Sequence, residues 1–160
     1  MSQTAHQTLE DFAAVIRDLT ETAGRITEIE EAKAEAASEG RHRQLDGFIQ
    51  EEQAHILKLR GLEQHRLKLA ESLGWKSLTF RQILEKTSSD ETELLSPLFS
   101  ELERQLKRLE QAREAAEKII KVRLHEIQTT IARQHGASYD NSGNLSSEAL
   151  PHTKLQNKYV

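Results

Sequence analysis

The sequence predicts an all-α fold: an elongated antiparallel helical bundle or coiled coil of three long helices and one short helix, with a flexible C-terminal tail. Three observations carry this expectation. Charged residues make up 30% of the 160-residue chain and aromatics only 4%, a balance that favours long helices around a thin core. Two prolines and seven glycines punctuate the chain, so stretches of roughly twenty residues run without the turn signals a sheet requires. Apolar residues also recur in alternating steps of three and four, the spacing of one helical face.

The first such stripe is Leu9, Phe12, Ile16, Leu19, Ala23 and Ile26, passing on to Ile29, Ala32 and Ala36. Gly40 supplies the left-handed residue that closes this helix. A second stripe, Leu45, Phe48, Ile49, Ile56, Leu59, Leu62, Leu69 and Leu73, ends at Gly74 and tolerates Gly47 in its interior. The third helix is short and fully punctuated: Thr79 as N-cap, Gln82 at N3 to complete a capping box, Leu78 and Ile83 as a hydrophobic staple, and an end near Lys86. Asp90 to Ser96 reads as a polar connection, and Ser96-Pro97 as the N-cap and first position of the last helix. That helix carries Leu98, Leu102, Leu106, Leu109, Ala116, Ile120, Leu124, Ile127 and Ile131 up to Gly136.

These lengths do not match. At 1.5 Å per residue the helices span roughly 45, 42 and 57 Å, so the last should project about 10–15 Å past its neighbours. Leu124, Ile127 and Ile131 fall on the projecting part and are candidate partner-binding residues. Residues 1–136 are thus read as the helical bundle domain. Residues 137–160, with the turn signal Asn141-Ser142-Gly143-Asn144, are read as a turn and flexible tail whose scattered apolar residues a partner could order.

Composition excludes several function classes. A formal net charge of −4 repels phosphate backbones, and the one dense basic spot, Arg41-His42-Arg43, has no aromatic platform beside it; nucleic acid is not an expected partner. No run is apolar enough for membrane insertion. The chain has no cysteine, which excludes disulfides and thiolate metal sites and, with no signal peptide in evidence, points to the cytoplasm.

Partial catalytic and cofactor motifs occur along the chain, and none is complete. Glu52-x-x-His55 has the spacing of a di-iron bundle, but such a site needs a second pair, and Glu39-x-x-His42 straddles the Gly40 turn; the pair reads instead as a solvated polar face. Neither His65 nor His125 has a histidine four residues on. Asp140, Ser142 and Asn144 imitate a calcium loop, but Leu145 and Pro151 replace its glycine and its glutamate. With no phosphate-cradling loop or nucleophile elbow, the chain is expected to be non-enzymatic and to need no cofactor or metal.

The middle of the chain resembles a known family. The run Phe48-Ile-Gln-Glu-Glu-Gln, then Leu59, Leu62-Glu63-Gln-His-Arg66 and Leu73-Gly74, followed by Leu78-Thr79 opening a short helix, is similar to the FlgN family of flagellar export chaperones. Lys33, Ile119-Ile120, Leu124, Ile127 and the Tyr139 to Gly143 turn extend the likeness over residues 9 to 143. It departs from the family at Arg41-His42, where an Asp is usual, and at Ala116, where an Asn is common. The resemblance implies a cytoplasmic chaperone of flagellar type III secretion. Such proteins bind the terminal regions of the hook–filament junction proteins FlgK and FlgL, prevent their premature polymerisation and deliver them to the export gate protein FlhA. It also implies a tyrosine contact with the gate, for which Tyr139 is the nearest match by context and Tyr159 the second. A structural coiled-coil adaptor, self-associating through the same stripes into a homo-oligomer, is the alternative reading, and a metal-binding four-helix enzyme a third.

Overall fold

The structure, a computed structural model, describes residues 2–135. It is an all-α bundle of four helices, α1 (Gln3–Ser38), α2 (His42–Ser72), α3 (Phe80–Lys86) and α4 (Ser89–His135), with no strand among the described residues. The tail expected at 137–160 lies outside them.

Helix α1 is the central element. It packs against α2 and against α4, while the α2 and α4 backbones nowhere come within 8 Å of each other and α3 leans on α4. The chain runs up, down and up: Phe99 of α4 meets Phe12 near the start of α1, and Arg123 of α4 reaches Ser38 at its end. Central position explains the burial pattern. Phe12, Ile16, Leu19, Ala23 and Ile26 are at most 1% exposed, whereas on α2 only Leu59 and Ala70, with the charged Glu52 and Arg66, are buried. The remaining apolar residues of the second stripe are half-buried, because α2 has one close helical neighbour where α1 has two.

Both glycine stops act as the sequence predicts. Gly40 (φ 73°) and Gly74 (φ 82°) adopt the left-handed conformation that L side chains resist. In each turn the residue after the glycine donates to the carbonyl five positions back, Arg41 to Ala36 and Trp75 to Ala70, both at 2.8 Å, so the last carbonyls of α1 and α2 are satisfied. The Thr79 capping box also forms: Gln82 N donates to Thr79 Oγ1 at 3.2 Å, and Thr79 N donates to Gln82 Oε1 at 2.9 Å.

Helix α1 begins at Gln3, ahead of the first residue of its apolar stripe, because Ser2 Oγ accepts from Ala5 N and caps it. One boundary differs from expectation. Helix α4 begins at Ser89, so the stretch from Asp90 to Ser96 is helix rather than a polar connection, and Pro97 lies inside the helix rather than at its first position. A second capping box explains this start. Ser88 Oγ accepts from Glu91 N at 3.3 Å, Ser88 N donates to the Glu91 carboxylate at 3.4 Å, and Asp90 and Glu91 face the positive end of the helix. Burial of Leu95 (0% exposed) and Phe99 (2%) stabilises the turns around Pro97. The proline removes one backbone bond, to the carbonyl of Glu93, which is exposed to water.

Candidate functional site: the projecting end of α4

The apolar stripe of α4 is continuous, but its surroundings change along it. Leu102 and Leu109 are 1% exposed, as is Ala116, the last fully buried residue of the row. Ile119 and Ile120 are half-buried. Beyond them Leu124 is 48% exposed, Ile127 39% and Ile131 51%. Positions i, i+3 and i+7 share one helical face, so the three form a single aliphatic strip, with exposed Val122 on another side of the helix.

The cause is the end of α1. Arg123 donates to the Ser38 carbonyl in the last turn of α1, where a cation also meets the negative end of the helix dipole. Past that bond neither α1 nor α2 continues alongside, since the hairpin turns at residues 39–41. Residues 124–135 of α4 therefore project by roughly 18 Å at 1.5 Å per residue, somewhat more than helix lengths alone suggest. A helix segment of this length without a packing partner is marginal by itself. Thr129 and Thr130 turn their hydroxyls onto the carbonyls of His125 and Glu126, each at 2.9 Å, which takes two polar groups out of contention for a partner.

A second constellation sits inside the same half of the bundle. Glu30 and Lys33 of α1 meet Glu52 of α2, with Lys33 Nζ 2.8 Å from the Glu52 carboxylate and 3.3 Å from that of Glu30. All three side chains are at most 12% exposed. Burial, then the hydrogen bond with Glu52, pushes the Glu30 carboxyl up to about 7 despite Lys33. Burial acts upward on Glu52 too, but hydrogen bonds from Glu30 and Lys33 and the charges of Lys33 and Arg113 outweigh it and hold Glu52 below its ordinary value. The arrangement sets the Lys33 ammonium between two carboxyls, donating to both Glu30 and Glu52. It ties α1 to α2 across their interface.

Glu52 is therefore not part of a solvated polar face. The signal was present in the stripe, which steps from Ile49 to Ile56 and leaves the intermediate inward position to Glu52, just as Glu30 follows Ile26 by four. Arg66 fills the equivalent gap between Leu62 and Leu69, forked onto Glu63 at 2.8 and 2.9 Å and lying 5.6 Å from the ring centre of Phe80. The basic spot at residues 41–43 is partly neutralised, since Arg41 pairs with Glu39 at 2.6 Å. At the opposite end of the bundle an open cavity of about 600 Å³ lies between the start of α1 and the α2–α3 junction, with Trp75, Lys86 and Glu91 among its lining.

Among the described residues no group of three or more His, Cys, Asp or Glu is placed to hold a metal ion, and no helix is long and apolar enough to cross a membrane. Of the candidate binding residues, Leu124, Ile127 and Ile131 share one exposed face, while Tyr139 lies outside the described residues. Comparison with known proteins finds no matching family model, no matching curated protein and no matching solved structure.

Proposed function

We propose that this chain is a cytoplasmic flagellar export chaperone of the FlgN type, which binds the terminal regions of FlgK and FlgL through the projecting end of α4. The observation that supports this reading best is the exposed strip of Leu124, Ile127 and Ile131 on a helix end with no neighbour among the described residues. Covering such a strip with an apolar partner helix removes aliphatic area from water at roughly 25 cal/mol per Å². A partner segment held in this way is kept from polymerising with copies of itself. Tyr139 would then serve FlhA, the gate, as a ring with a phenolic donor.

Replacing Leu124, Ile127 and Ile131 together by Asp tests it. Capture of the junction proteins in a co-expression pull-down should be lost while helicity and cooperative melting stay intact, because charges buried against an apolar helix cost several kcal/mol. Loss of folding would make these residues core. A wild-type chain that forms stable oligomers at all concentrations and ignores the junction proteins would favour a self-associating adaptor. Tyr139→Ala should weaken FlhA binding by about 2 kcal/mol or more and leave junction-protein binding nearly unchanged.

A further inference from the structure

Charge at the root of the projecting end narrows what can cover its aliphatic strip. Residues 118–135 carry four cations, Lys118, Lys121, Arg123 and Arg133, against the single carboxylate of Glu126, in a chain whose formal net charge is −4. Two of the cations border the strip. With 3.6 residues per turn, Lys121 and Arg123 stand roughly 80° to either side of the mean direction of Leu124, Ile127 and Ile131. Their side chains are 72% and 43% exposed; Lys121 pairs with Glu117 and Arg123 with Glu126 on the same helix, while Arg123 also keeps its bond to the Ser38 carbonyl. Such pairs contribute little and exchange readily for a better-placed anion.

This pattern argues against two occupants from the chain itself. A second copy laid over residues 118–135 with its own 118–135 would bring the same excess of cations. A single foreign segment is free to carry the opposite charge along its borders. The C-terminal residues 136–160 carry Asp140 and Glu148 against Lys154 and Lys158, so they offer no net complementary charge.

We propose that the projecting end of α4 binds an amphipathic helical segment of a partner whose aliphatic face is bordered by acidic residues; this rests on the reading of that end as a partner-binding surface. The acidic borders meet Lys121 and Arg123 while the aliphatic face covers Leu124, Ile127 and Ile131. Charge then selects among segments whose apolar faces are alike.

The test uses the full chain and two synthetic amphipathic peptides with one Leu/Ile face, bordered by Glu in one and by Lys in the other. Calorimetry at low salt should show the Glu-bordered peptide binding about tenfold tighter, with the difference shrinking as salt screens it. The double variant Lys121→Glu/Arg123→Glu should reverse the order. Equal binding of the two peptides, or binding of neither, overturns the proposal. Capture of the junction proteins by the same samples separates the two levels: capture without any border preference sinks only the acidic partner, whereas no capture and no peptide binding sinks the surface as well. Dimerisation that protects the strip, or peptide binding that appears only after residues 136–160 are removed, would assign the strip to the chain itself and overturn the proposal too.

Discussion

At one end of the bundle Phe12, Trp75, Phe80 and Phe99 are buried together, with Phe80 and Phe99 stacked at 4.1 Å and Phe12 edge-on to both Trp75 and Phe99. At the other end α4 leaves α1 behind at Arg123, and Leu124, Ile127 and Ile131 face outward. Both regions are written in the same three-and-four spacing. What distinguishes them is the presence of a neighbour: a helical stripe becomes core where another helix ends up beside it and stays a surface where none does. Between the two lies the Glu30–Lys33–Glu52 cluster, which ties α1 to α2 just before the hairpin closes.

The comparison is broken most severely from the aromatic end. Phe99→Ala removes a ring that touches both Phe12 and Phe80 and should cost about 3–5 kcal/mol, whereas Ile131→Ala should stay within about 0.5 kcal/mol. Denaturant unfolding of the two variants checks the contrast, and similar losses would mean that the end of α4 is packed. Next comes the ion cluster. Lys33→Ala leaves two carboxyls facing each other in a buried place and should destabilise by about 3 kcal/mol, the lower end of the usual range because Glu30 can keep its proton.

The same cluster makes stability depend on pH in a signed way. Glu30 titrates at about 7 in the fold against an ordinary 4.5, so its contribution is complete below 4.5 and lost as pH rises towards 7. Glu52 is shifted down, so its contribution is present above its ordinary value and lost as pH falls. Glu30→Gln keeps a donor towards Glu52 without a titrating proton. Melting this variant from about pH 5 to 8 should show the decline attributed to Glu30 removed, with acid sensitivity retained; an unchanged profile would place the titration elsewhere. The smallest effect sharpens the picture of α2 as the lightly packed helix. Gly47 and Gly61 lie exposed within it, with open space where a Cβ would go, so Gly47→Ala and Gly61→Ala should each raise stability by about 0.5–1 kcal/mol in thermal unfolding.

Much of this architecture was legible because helix signals are local. Gly40, Gly74 and the Thr79–Gln82 box act within a few residues of themselves, and the structure uses each as the sequence suggests. Pro97 misled for the same reason: proline reads as a helix start, but the Ser88–Glu91 box and burial of Leu95 set the start eight residues earlier. Glu30, Lys33 and Glu52 were not assembled from sequence because their meeting depends on the register of α1 against α2, a pairing nineteen or more positions apart. The outward strip was reachable by comparing helix lengths, which is arithmetic on the whole chain rather than a motif. Tyr139 lies beyond the described residues, and its role rests on the resemblance alone.

Amide hydrogen exchange on the full chain, free and with a junction-protein terminal segment, tests the central claim most directly. In the free protein residues 124–135 should exchange much faster than the stretch from Leu95 to Leu109, since neither α1 nor α2 runs beside them. Adding the segment should slow exchange at 118–135 and leave the helix ends around Phe12, Trp75 and Phe80 unchanged. Strong protection of residues 124–135 in the free protein, or protection on binding confined to the aromatic end, would contradict the account.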